Sequence, residues 1–135
     1  ATNAASGWVA WVKSANAALN SASTGATIPT VGSATDNTTE SLTSTTYGYL
    51  LDVTFTDSGT GTGTVSQDPN YGDEYDGNSS NTGGALSTTF QPIANANGTT
   101  DGDTLVLKAL ARVSAVQAAA NDYADTLTVV AAGRF

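Results

Sequence analysis

Apolar and polar residues alternate with a period of two along several stretches of this chain, the spacing of half-buried strands. Residues 47–57 show it most clearly. Tyr49, Leu51, Val53 and Phe55 fall on one face, with Leu50, Asp52 and Thr54 on the other. Residues 103–117 contain Leu, Ala, Lys and Arg, which suit a helix. Strict alternation argues for a long strand instead: Leu105, Leu107, Ala109, Ala111 and Val113 share one face, and Val106, Lys108, Leu110 and Arg112 the other. A last strand is predicted over residues 123–131, where Leu127, Val129 and Ala131 alternate with Thr126, Thr128 and Val130. Residues 7–22 fit two patterns. A helix would give the stripe Trp8, Val12, Ala15 and Leu19; a strand would put Trp8, Ala10 and Val12 opposite Val9, Trp11 and Lys13. The β-like first part favours a strand over residues 7–13.

Shorter elements fill the gaps. Residues 27–31 predict a strand that Pro29 confines to an edge or a bulge. A short strand is expected near Leu42, and a mobile arm or loosely paired edge over the Gly/Thr run at residues 58–67. Residues 68–84 read as the longest irregular stretch, residues 85–93 as a strand broken near Pro92, and residues 94–103 as a turn cluster. About six to eight strands separated by Gly, Asn, Asp and Thr, with little helix, indicate an all-β sandwich.

Charge narrows the possible partners. Four basic residues stand against twelve acidic ones, a net charge of -8, which repels nucleic acid and anionic membrane surfaces. No run of apolar residues reaches membrane-spanning length. There is no Cys or His, so Ser-His and Cys-His nucleophile pairs and the commonest zinc, copper and haem sites are excluded. Ser and Thr make up about a quarter of the chain, far above ordinary usage, and charged residues only 12%. Such a surface is expected of an extracellular β-protein, secreted after removal of a signal peptide and open to O-glycans.

The segment LKALARVSAVQAAANDYADTLTVVAAG adds a resemblance. An alternating strand, Gln117, a small-residue linker, then Tyr123, Asp125, Thr126, Thr128 and Val129 resemble the C-terminal end of spore coat protein U-like domains, the subunits of archaic chaperone–usher pili. The resemblance implies an immunoglobulin-like β-sandwich lacking one strand, completed by the N-terminal segment of a neighbouring copy. Main-chain hydrogen bonds to an open edge would give affinity and alternate side chains would give register. A head-to-tail contact of this kind propagates a filament. On this reading residues 1–13 are the donor, carrying Trp8, Val9, Trp11 and Val12, and residues 14–135 form one sandwich domain. Leu105, Leu107, Leu127 and Val129 line the acceptor groove. The partners are other copies of the chain in a homopolymer. The bland alternative makes residues 7–13 simply the first strand of their own sandwich.

Other clusters carry weaker expectations. Asp68, Asp73, Glu74 and Asp76 gather oxygen ligands of the kind calcium takes, without the EF-hand spacing; a solvated acidic loop is the favoured reading. Beside them Tyr71 and Tyr75 suggest a sugar-binding platform, the basis of an alternative function as a monomeric carbohydrate-binding or adhesive domain. Sequons at Asn37, Asn78 and Asn97 permit N-glycans, although their number is what chance predicts. Asp101 and Asp103 read as turn residues. Lys108 and Arg112 are expected to meet acidic neighbours across the sheet. No cofactor is expected apart from calcium. Paired carboxylates on a wet Gly-rich loop lack the apolar pocket a catalytic acid needs, so no enzymatic activity is expected.

Overall fold

The computed structural model describes residues 4–57, 60–71 and 81–135. Its strands are β1 (Trp8–Ser14), β2 (Ala18–Ser21), β3 (Thr27–Pro29), β4 (Glu40–Ser41), β5 (Gly48–Thr56), β6 (Thr60–Gly61), β7 (Val65–Gln67), β8 (Thr82–Gly83), β9 (Gln91–Ala96), β10 (Thr100–Asp101), β11 (Thr104–Arg112), β12 (Tyr123–Ala124) and β13 (Leu127–Gly133). The fold is all-β, and its strands form several small antiparallel sheets. The largest has the order β13-β1-β9-β7; β12-β2-β3 form a second, and β11-β5, β10-β6 and β4-β8 are pairs.

The core lies where β5 meets the four-stranded sheet. Ala10 and Val12 of β1, Ile28, Tyr49, Leu51 and Val53 of β5, Tyr71, Leu86 and Ile93 form one buried cluster. Alternation in β5 does not separate core from solvent, because Leu50 and Asp52 on its second face are also fully buried. A strand covered on both faces no longer displays its period in its burial.

Residues 7–13 form a strand, as favoured, and β1 lies between β13 and β9 of its own chain. Three expectations need correction. The strand placed at residues 85–93 is β9, shifted to Gln91–Ala96, with Pro92 inside it. Proline has no N–H to donate, and the β1–β9 register slips between Ala10 and Trp11, where Trp11 faces Pro92. The long strand at residues 103–117 stops at Arg112. The last strand is two: β12 joins the sheet of β2, and β13 joins that of β1. The chain changes sheets at Asp125 and Thr126. There the Thr126 carbonyl accepts from the Ala15 N–H at 2.9 Å, and Asp125 accepts from Ser14.

Candidate functional site

The strand expected to act as donor and one strand expected to act as acceptor meet directly, within one chain. In the β1–β13 ladder Trp8 faces Gly133, Val9 faces Ala132, Trp11 faces Val130, Val12 faces Val129 and Ser14 faces Leu127. The two tryptophans lie on opposite faces, as an extended strand requires. Trp8 packs against the core and its indole N–H donates to Thr100 Oγ1 at 3.0 Å. Trp11, Phe90 and Val130 line a shallow apolar depression of about 260 Å³ on the other face, and Lys13 Nζ lies 5.9 Å from the centre of the Phe90 ring.

Beyond β13 the structure is open. Directly opposed residues of an antiparallel pair point to the same face, so Leu127, Val129 and Ala131 share the inner face of Ser14, Val12 and Ala10. Yet Val12 is 1% exposed and Val129 is 49% exposed. The same contrast holds in the other pair. Leu107 lies opposite Val53, and Ala109 opposite Leu51; both β5 residues are fully buried, while Leu107 is half-buried and Ala109 exposed. β11 and β13 each end a sheet, with no further strand beyond them among the described residues. A cavity of about 400 Å³, lined by Trp8, Ala10, Leu105 and Ala131 among others, opens between them. Leu105, Leu107 and Leu127 thus sit at the rim of the core.

Gln117, Tyr123 and Asp125, three of the residues that carried the resemblance, form a clamp together with Asp122, a role their sequence did not signal. Gln117 Nε2 donates to the Tyr123 hydroxyl at 2.8 Å and to the Thr27 carbonyl at 3.2 Å. Tyr123 in turn donates to the Ala118 carbonyl at 2.8 Å. Asp125 accepts from Ser14 Oγ at 2.6 Å and from Asn16 Nδ2 at 3.4 Å. Asp122 accepts from Ser21 Oγ at 2.6 Å and from the Ser23 backbone N–H at 2.8 Å. The Ser21 and Ser23 bonds hold the Asp122 carboxyl below its ordinary range. Two serine–aspartate pairs therefore fasten the C-terminal connection to the turns on either side of β2. Neither Ser14 nor Ser21 stands out in a chain so rich in serine.

The acidic loop falls partly outside the described residues: Asp73, Glu74, Tyr75, Asp76 and the sequon Asn78 lie there. Among the described residues no group of acidic side chains is arranged to hold a metal. Asp68 spends one carboxylate oxygen on its own turn, accepting from the backbone and side-chain amides of Asn70 at 3.0 and 2.8 Å. Tyr71 is no sugar platform. It is fully buried, and its hydroxyl donates to the Ala85 carbonyl at 3.0 Å. Burial, with the Asp68 charge adding, pushes its phenol up to about 12. Tyr49 is likewise pushed up to about 12 by burial and by the Asp125 charge. Asn37 and Asn97 are exposed. The β5–β11 register places Lys108 opposite Asp52, an acidic neighbour as expected, but Arg112 opposite Gly48.

No protein-family model, curated protein or solved structure matches this chain.

Proposed function

We propose that this chain is a structural subunit of a secreted extracellular filament, a homopolymer in which the N-terminal strand of one copy enters the sheet of the next. The observation that supports this reading most is the seat of β1. β1, the first strand of the fold, lies between β9 and β13 and supplies Ala10 and Val12 to the core. Such a seat needs an occupant, and an identical strand from a sibling fits it with the same register and side chains. Exchange of an identical element between copies is a direct route from monomer to assembly.

Two further features agree with it. The uncovered inner faces of β11 and β13 leave Leu105, Leu107 and Val129 partly in water, as expected of a subunit whose sheets are finished only in an assembly. The Tyr123 hydroxyl reaches back to the Ala118 carbonyl, the geometry of the tyrosine corner in immunoglobulin-like sandwiches. With the resemblance of residues 117–129 to pilus subunits, this favours an immunoglobulin-like domain in an extracellular fibre, with a binding and structural role and no catalysis.

Negative-stain microscopy of the concentrated intact protein tests the proposal. Unbranched filaments are expected. A chain that stays monomeric by light scattering at every concentration reached is not a filament subunit.

The alternative is a monomeric carbohydrate-binding or adhesive domain. It loses Tyr71 as a contact, but the Trp11, Phe90 and Val130 depression offers an aromatic surface of the kind sugars stack on. Glycan-array binding abolished by Trp11→Ala would favour it.

A further inference from the structure

We infer that Ala17 is the hinge on which β1 passes between copies, and that its backbone conformation sets how readily the strand leaves its own chain. This role presupposes the strand exchange proposed above. Residues 15–17 are all that join β1 to β2. Ala17 sits there with φ at +50°, in the left-handed region where a Cβ crowds the backbone. An alanine persists in that conformation only when its surroundings hold it.

They do. The backbone N–H groups of Asn16 and Ala17 donate to Ser14 Oγ at 3.1 and 2.6 Å. The same oxygen donates to Asp125 at 2.6 Å. The Ala17 carbonyl accepts from the Thr30 N–H at 2.9 Å. The turn is thus bent around one serine hydroxyl that is itself tied to the C-terminal part of the chain.

The energetic consequence follows from symmetry. When a sibling's β1 takes the seat between β9 and β13, every ladder bond, the Trp8–Thr100 bond and the Ser14–Asp125 bond are made again by identical groups. Those contacts cancel between the closed and the exchanged states. What differs is the link of residues 15–17: in the closed chain β1 and β2 run on in one direction against β13 and β12 with Ala17 held left-handed, and in the exchanged one the link is free to change direction. Short, strained hinge loops drive exchange for this reason. Ala17 relaxes to negative φ on opening; glycine at this position would have little strain to release.

The absence of cysteine from the chain makes the test clean. Val9 and Ala132 face each other across the β1–β13 ladder, within the range of Cα separations a disulfide spans. V9C and A132C are placed in separate copies of different mass, mixed under assembling conditions and oxidised. A disulfide joining the two masses reports β1 of one copy against β13 of another. It is expected in the large species. Ala17→Gly should lower its yield about fivefold, and Ala17→Val should raise it. A yield indifferent to residue 17 overturns the hinge and leaves strand exchange standing. Large species without the mixed disulfide overturn the exchange of β1 and leave only a filament joined by other contacts. Monomers alone overturn both.

Discussion

Ser14 donates its hydroxyl to the Asp125 carboxylate at 2.6 Å, joining the end of the first strand to a residue 111 positions later in the chain. Ser14 is fully buried, and its oxygen also receives the two backbone N–H groups of the following turn. Hydrogen bonds to a charged group contribute about 1.5–3 kcal/mol. Ser14→Ala should therefore lower unfolding stability by about that amount, read as a shift of the urea midpoint. Asp125→Ala should cost a similar amount. The double variant should lose less than the sum, because both changes remove the same bond.

Gly7 marks the entry to β1. Its φ is +82°, and a Cβ placed on it would lie 1.9 Å from the Ala96 carbonyl oxygen. The backbone there is fixed from both ends: Gly7 N donates to the Ala4 carbonyl at 3.0 Å, and the Gly7 carbonyl accepts from Arg134 N at 2.7 Å. Gly7→Ala must move backbone rather than a side chain. It should weaken the start of β1 and speed hydrogen exchange at Arg134, whose amide it holds. An unchanged exchange rate at that amide would contradict this geometry.

Tyr49 and Tyr71 should set the alkaline limit of the fold. Both phenols are pushed from the ordinary 10.0 up to about 12, chiefly by burial. A raised folded-state pKa means that the stabilisation is fully present below pH 10 and is lost as the pH climbs towards 12. Tyrosinate absorbance of these two residues should rise together with the loss of β circular dichroism. Tyr71→Phe should remove its share of the alkaline transition, and also about 0.5–1.5 kcal/mol for the lost bond to Ala85.

At the acid end Asp122 works in the opposite sense. Its carboxyl is held below the ordinary 3.8 by the Ser21 hydroxyl first and the Ser23 backbone amide second. A depressed folded-state pKa gives stabilisation that is present above pH 3.8 and lost as the pH falls through the lowered value. Attachment of β12 to β2 should loosen in that range, seen as faster hydrogen exchange around Tyr123. Asp122→Asn should make the loosening independent of pH.

Elements were legible in the sequence where one strand covers one face. β5 and β11 were legible as strands from their alternating sequence, and their register pairs Leu107 with Val53 and Leu105 with Phe55, but their burial follows that alternation only in part. β1 was legible as a strand for the same reason. The split of the last strand was not. Residues 123–131 keep a β pattern throughout, and only the bonds of Asp125 and Thr126 to Ser14 and Ala15 show where the chain leaves one sheet for another. β9 lies later than its pattern indicates, because Pro92 reads as a break and yet sits inside the strand. Its missing donor is absorbed by a register slip against β1. Of the four residues expected along an acceptor groove, Leu105, Leu107 and Leu127 pack at the edge of the core, and Val129 is 49% exposed. The Ser14–Asp125 and Ser21–Asp122 pairs were not legible, since a short polar side chain declares its partner only when the fold brings one within reach.

The sequence by itself determined that the chain is all-β, where its long strands lie, and that its surface is polar, acidic and poor in charge. Period and composition are local properties, and they survive any arrangement of the strands. The tertiary structure decided which strands are neighbours. It seated β1 between β9 and β13, turned Tyr71 from the surface into the core, and left the inner faces of β11 and β13 open. Pairing is decided there because every strand edge offers the same backbone donors and acceptors; only packing of side chains distant in sequence selects among them.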